Sequence, residues 1–298
     1  MGKALRLMCI LAHPDDESLG MGGTLAKYVE EGIETFLVTA TRGERGWWGE
    51  VKDNPGLEAV GRVREAELRC AAQTLGIRDV QILGYVDGDL DQADAGEAID
   101  TIVHHIRRVK PDVVATFAPE GAYGHPDHIA ISQLATAAVV NAAHPISVSE
   151  DRANPLLPHL VSKLYYMAWT QRKWAAYESV FGSLTIKIDG TERHTEPWPD
   201  WAITTVIHTE SYWPIAWKAV SCHKSQLPAY GKLQNLSEEH HKGLWGTQEF
   251  YRAFSLVNGG RKRETGIVVR EGKAADARMR PPTWGKKSEP DAADRLSI

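Results

Sequence analysis

The sequence predicts an α/β fold: a mostly parallel sheet of strand order 3-2-1-4-5 covered by helices, with a smaller, irregular α+β portion towards the C-terminus. Three observations predict it. Short continuous apolar runs alternate with helix-spaced segments through the first half, the pattern of strands buried on both faces. The helical segments end on stop signals, at Gly32, Gly76 and Lys110-Pro111. Finally, a His-Pro-Asp step follows both the first and the fourth apolar run. In a doubly wound, Rossmann-like sheet those two strands are neighbours, and a crevice opens at their carboxyl ends.

The elements follow in order. "LRLMCILA" (5–12) is the first strand, and residues 18–31 have helical spacing closed by Gly32. "ETFLVTA" (34–40) is the second strand. A Gly-rich, Trp-bearing loop at 41–56 leads into a long helix over about 57–75. "VQILG" (80–84) is the third strand, "AIDTIVHHIRRV" (98–109) a helix and "DVVATF" (112–117) the fourth strand. A helix over 128–143 and a fifth strand, "SKLYYMAW" (162–169), complete the regular part. Beyond it, 183–189 and 202–208 read as strands of a less regular sheet, and 211–226 reads as a helix. From Gly259 the chain is charged and Pro-containing, and it is expected to pack on its own body or on a neighbouring subunit.

The 298 residues, 43% of them hydrophobic, suffice for one large domain or one domain with an appendage. A net charge of -5 gives no sign of a nucleic-acid or anionic-membrane partner, and no apolar stretch approaches a membrane span. Cys9, Cys70 and Cys222 are odd in number and scattered, which argues against a disulfide framework. These features read as a cytoplasmic protein; a homo-oligomer is consistent with the aromatic second half.

His13-Pro14-Asp15-Asp16-Glu17 and His125-Pro126-Asp127-His128 lie more than 100 residues apart in sequence, yet the predicted topology sets them face to face. Together they offer imidazoles and carboxylates for a three-ligand catalytic Zn²⁺ site, with Fe²⁺ also possible, and carboxylates to spare. A spare carboxylate beside an activated water is the general base of a hydrolase. The plain alternative is that Asp15, Asp16, Glu17 and Ser18 cap the following helix, which Glu17 and Ser18 suit best.

The motifs "AHPDDE" (12–17), "GG" (22–23), "GE" (43–44), "RVREAEL" (62–68), "LGYVDG" (83–88) and "HPDH" (125–128) resemble the PIG-L/LmbE family of zinc-dependent N-acetylglucosaminyl de-N-acetylases, which includes the mycothiol and bacillithiol deacetylases. "SCHKSQ" (221–226) is similar to a weaker motif of that family. The resemblance implies that His13, Asp16 and His128 hold the metal and that Asp15 is the base activating water. It implies that His125, if cationic, stabilises the oxyanion and helps protonate the leaving amine, with Asp127 orienting it. Arg64, Asp87 and Glu44 then match substrate-binding positions, and Tyr123 a mobile tyrosine near the carbonyl oxygen.

The implied reaction removes acetate from an N-acetylglucosamine-containing small molecule; an amidase on a glucosamine conjugate would use the same machinery. Residues 1–169 are then the metal-binding catalytic region, 170–258 a substrate-shaping portion of the same domain and 259–298 a tail. Trp47 and Trp48 either stack on a sugar or pack under their loop. His223 reads as structural, and His104-His105 and His240-His241 as surface residues. A non-haem Fe(II) oxygenase shares two histidines and a carboxylate but usually sits in a β-barrel. A dinucleotide module lacks its G-x-G-x-x-G, since Gly20, Gly22 and Gly23 come late. A third alternative is a structural metalloprotein without turnover.

Overall fold

The structure, a computed structural model, describes residues 4–145, 156–188, 190–257 and 263–267. Its elements in chain order are β1 (Arg6–Leu11), α1 (Asp16–Glu30), β2 (Glu34–Thr41), α2 (Leu57–Leu75), β3 (Asp79–Tyr85), α3 (Ala95–Val109) and β4 (Val113–Phe117). The single turn α4 (Gly121–Gly124), α5 (Pro126–Ala142), β5 (Lys163–Met167) and α6 (Gln171–Phe181) follow. Then come β6 (Ile186–Ile188), β7 (Thr191–Arg193), β8 (Thr205–His208), α7 (Trp213–Val220), α8 (Leu227–Tyr230), α9 (Glu238–Trp245) and β9 (Thr247–Ser255).

The main sheet runs β3-β2-β1-β4-β5-β9-β8. Its first five strands are parallel in the expected order; β9 pairs antiparallel with β5, and β8 with β9. β1 is the most buried, with Leu7 through Leu11 fully inaccessible. Helix α1 packs with α2 and α7, and α3 packs with α5. β6 and β7 form a separate hairpin.

The glycines at 22–23 let α1 approach its neighbours closely. A Cβ on Gly22 would stand 3.1 Å from the Ala216 methyl, and one on Gly23 would stand 2.8 Å from the Thr209 Cβ. Thr209 has little room to yield, because its hydroxyl donates to the Trp245 carbonyl. Gly23→Val is expected to lower stability by about 1–3 kcal/mol through overpacking, read as a fall in the urea midpoint without a change in slope.

Several expectations need correcting. Helix α1 begins at Asp16, α3 at Ala95 and α5 at Pro126, each two or three residues earlier than the apolar spacing suggested. The predicted helix at 211–226 covers only Trp213–Val220, followed by short turns. Residues 205–208 join the main sheet rather than a separate one, because the unpredicted strand β9 carries them. Cys70 on α2 and Cys222 after α7 are joined in a disulfide, with Cα atoms 5.8 Å apart. Packing of α7 against α2 brings together cysteines 152 residues apart, a pairing that sequence spacing does not reveal. Cys9 is free and buried, and burial pushes its thiol up to about 12.

The expected tail is described only in part. Glu264 forms ion pairs with Lys163 (2.9 Å) and Arg252 (2.7 Å), and Ile267 is fully buried. Residues 268–298 lie outside the described residues.

Candidate metal centre

Two strand ends build the site. After β1 the chain passes Pro14 and turns at Asp15, whose φ of 110° is unusual for a residue with a side chain. Asp16 bends back over this turn: its Oδ2 accepts the backbone N–H groups of Ala12 (3.1 Å) and His13 (2.7 Å). After β4, Pro126 occupies the first turn of α5, where its missing N–H costs nothing, and His125 caps that helix by accepting the Asp127 N–H on Nδ1 (3.1 Å). His128 stacks on Phe117 with ring centroids 3.9 Å apart, and its Nδ1 donates to the Gly121 carbonyl (3.3 Å).

β1 and β4 are adjacent, and the two motifs meet. His13 Nε2 faces Asp127 Oδ2 at 2.9 Å and Asp87 Oδ1 at 3.1 Å, so this nitrogen carries a proton and donates it. That turns His13 Nδ1 towards His128 Nε2, 3.2 Å away, whose lone pair is directed at it because Nδ1 of His128 is the donor. The gap between these two nitrogens suits one shared cation, either the His13 proton or a metal ion. Asp16 completes the surroundings, its Oδ1 3.5 Å from His128 Nε2 and its Oδ2 3.9 Å from His13 Nδ1. Tetrahedral bonds of about 2.0–2.1 Å set ligand atoms roughly 3.3 Å apart; the two imidazole nitrogens stand at that spacing, and Asp16 Oδ1 stands near it from His128. His125 also brings a ring nitrogen within 4.8 Å of those of His13 and His128. The donor set fits Zn²⁺ or Fe²⁺, and the carboxylate behind His13 Nε2 is the outer support such ligands have.

The neighbouring carboxylates favour positive charge on this group. Burial works against the His13 imidazolium, but hydrogen bonds to Asp127 and Asp87 and the charge of Asp16 outweigh it and hold its pKa at about 10. Burial and then the His13 charge press His128 well below its ordinary value and take His125 to about 4. Burial raises Asp16 to about 7. Of the three histidines, His13 therefore holds the extra proton.

Asp15 stands beside this group, and its Oδ2 accepts from Arg64 Nη2 (2.9 Å) and the Tyr230 hydroxyl (2.7 Å). Its backbone N–H donates to Glu17 Oε2 (3.0 Å). Glu17 is wholly buried; besides holding the N–H of Asp15, the residue before α1, its carboxylate pairs with the equally buried His223, Nε2 to Oε1 2.9 Å. His223→Ala leaves that carboxylate buried without its partner and is expected to cost about 3–5 kcal/mol. Burial disfavours both ions, but each charge outweighs this for the other, so His223 is raised above 6.5 and Glu17 lowered below 4.5. The His223 contribution is complete below about pH 6.5 and fades as pH rises through its higher folded pKa; that of Glu17 is complete above about pH 4.5 and fades as pH falls through its lower one. Urea titrations should therefore find the gap between native and variant widest from about pH 4.5 to 6.5.

A cleft of about 850 Å³ opens over these groups, lined by His13, Asp15, Asp16, His125 and His128. Of the expected substrate residues, Arg64, Asp87 and Tyr123 line it; Glu44 does not, and instead accepts the Asp87 N–H (3.2 Å) from behind. The Asp127 carboxylate holds His13 and the backbone N–H groups of Gly88 and Leu90, whereas His125 is oriented by the Asp127 N–H. Trp48 lines the cleft and donates to Gln226 Oε1 (2.8 Å); Trp47 donates to the Glu50 carbonyl. Tyr230 and Gln226 are contributions to which sequence reasoning gave no role; Gln226 is the last residue of "SCHKSQ", and the only signal for Tyr230 was proximity to it. His241, expected on the surface, is buried and stacked on Trp213 with centroids 4.7 Å apart.

Residues 8–139 match the family model described as PIG-L, GlcNAc-PI de-N-acetylase. A 1D-myo-inositol 2-acetamido-2-deoxy-alpha-D-glucopyranoside deacetylase of Streptomyces avermitilis is 33% identical over 296 residues, covering 88% of this chain and 96% of the relative. A mycothiol S-conjugate amidase of Streptomyces coelicolor is 31% identical over 287 residues, covering 86% and 94%. Among solved structures, N,N'-diacetylchitobiose deacetylase from Pyrococcus horikoshii superposes with a TM-score of 0.62 at 21% identity over 84% of each chain, a likeness of fold.

Proposed function

The chain belongs to the PIG-L family, and on that premise we propose that it is a metal-dependent amide hydrolase that releases acetate from an N-acetylglucosamine-containing small molecule. The observation that carries this is the convergence of His13 Nδ1 and His128 Nε2 beside Asp16, with the carboxylate of Asp15 next to them and held by other groups. His13 Nδ1, His128 Nε2 and Asp16 are the proposed ligands, for Zn²⁺ or Fe²⁺.

When bound, the ion polarises the amide carbonyl and lowers the pKa of a water molecule. Arg64 and Tyr230 fix Asp15 through Oδ2, which leaves Oδ1 to take the proton of the attacking water. His125 accepts the Asp127 N–H on Nδ1, so as the neutral ring its proton is on Nε2, and a neutral N–H donor can face the developing oxyanion. This differs from the cationic histidine that the resemblance allowed, and it makes Asp15 the carrier that returns the proton to the leaving amine. Arg64 and Asp87 bound the side of the cleft proposed for the sugar, and Tyr123 lies near both histidines, its ring 5.4 Å from that of His128.

The test is incubation of the metal-loaded protein with a panel of N-acetylglucosaminides, reading free amine and acetate in equal amounts. No amine from any member overturns the reading. The likeness to the mycothiol S-conjugate amidase favours a second reading, in which the amide of a larger glucosamine conjugate is cleaved by the same groups. No helix among the described residues is long and apolar enough to cross a membrane. A cytoplasmic location and a homo-oligomer complete the proposal, the latter supported by the exposed Trp201 and checked by sedimentation.

A further inference from the structure

The cleft is chemically divided about the metal centre. On the side of β2 and β3 its wall is polar: Arg45, Arg64, Asp87 and Asp89, with Gln226 and Tyr230 above them. On the side of β5 and α6 it is mostly apolar, formed by Leu19, Met167, Trp169, Tyr177, Phe181 and Leu184, with Lys187 of β6 and Arg193 of β7 also in the lining. The aromatic members make a stacked ladder, with Trp169 to Tyr177 at 4.4 Å and Tyr177 to Phe181 at 5.9 Å between centroids. The Tyr177 hydroxyl is tied to the Leu19 carbonyl (3.2 Å), which fixes the ladder against α1 one turn beyond Asp16. Nothing in amide cleavage itself requires this wall. Apolar side chains that line a cleft rather than close over it mark a surface kept for a ligand. At about 850 Å³ the cleft is also in the upper part of the roughly 300–1,000 Å³ range of small-molecule sites, far more than an acetyl group needs.

We infer that the β5–α6 wall is an acyl-group subsite that extends the acyl range of the same centre beyond acetyl, so that an apolar, aromatic-sized acyl group is also cleaved and is held more tightly than acetyl. This rests on the amide-hydrolase reading above and follows from its geometry. With the glucosamine against Arg64 and Asp87, the scissile C–N bond lies over the metal centre and the acyl group projects to the opposite side, onto the ladder. Cleavage breaks that bond, gives the water oxygen to the acyl carbon and a proton to the amine, and leaves a carboxylic acid whose apolar part rests on Trp169, Tyr177 and Phe181.

The experiment compares N-acetylglucosamine with N-phenylacetylglucosamine in two ways. Calorimetric titration of the metal-free chain, where no turnover intervenes, should show the phenylacetyl compound binding at least about tenfold more tightly, since even one methylene in an apolar pocket is worth roughly 10–200-fold. In the metal-loaded chain the ratio of kcat/KM, phenylacetyl over acetyl, should exceed ten and fall towards one in Phe181→Ala and in Leu184→Ala, two partly buried positions at the rim. Equal binding of the two compounds, or a substitution that slows both by one factor, overturns the subsite while leaving the hydrolase reading intact. Release of amine from neither compound, when the wider panel is also inert, overturns both.

Discussion

Asp15→Asn is expected to lower kcat by about 10²–10⁴-fold, the usual worth of a positioned proton acceptor, with the metal content unchanged. The substitution keeps the shape of the side chain and an oxygen for Arg64 and Tyr230, so the turn before α1 has no reason to move. It removes only the basic oxygen. Asp15 contributes to the turn through its backbone N–H to Glu17, which the variant retains. Elemental analysis of the purified variant beside single-turnover kinetics separates the two effects. Native turnover with the metal in place removes Asp15 from the role of base, and loss of metal makes it a ligand instead.

The second large effect is expected at His128. His128→Ala deletes one of the two imidazoles that face each other at 3.2 Å, and should abolish turnover by emptying the site. The affinity loss should exceed that of Asp127→Asn, which disturbs the group behind His13 Nε2 and is expected to cost about 10–100-fold. Binding should also release a proton. With the ion-free His13 held at about 10, its imidazolium dominates at pH 7.5, and a cation taking the Nδ1 lone pair must displace that proton. Titration of metal into weakly buffered protein should therefore release close to one proton per ion in the native chain and none in His128→Ala. Metal binding without proton release in the native chain would show that the ion takes other ligands.

The sequence told much about the centre and less about its surroundings, for physical reasons. His13, Asp16 and His128 were legible because each motif follows a continuous apolar run, and the topology of five parallel strands then forces the two runs together. β9 was not legible: of its nine residues only Gln248 and Phe250 are buried, and Gln248 is buried because its side chain serves the Thr24 N–H. Tyr230 and His223 reach the site from short turns 200 residues downstream, and no local spacing encodes that reach. His241 has the polar setting of a surface residue, but three tryptophan rings lie against it. Glu44 sits where a substrate contact was expected, yet its carboxylate is spent on the Asp87 backbone.

β9 lies antiparallel along the outer side of β5, and β8 lies beyond it, so β5 is an interior strand rather than a margin. The Met167 end of the apolar wall is thus founded on backbone whose hydrogen bonds are already taken on both sides, while the proposed metal ligands and base follow β1 and β4. The proposed acyl subsite and the proposed hydrolytic groups are therefore mechanically separable: directed evolution is expected to reshape the former and leave the latter untouched.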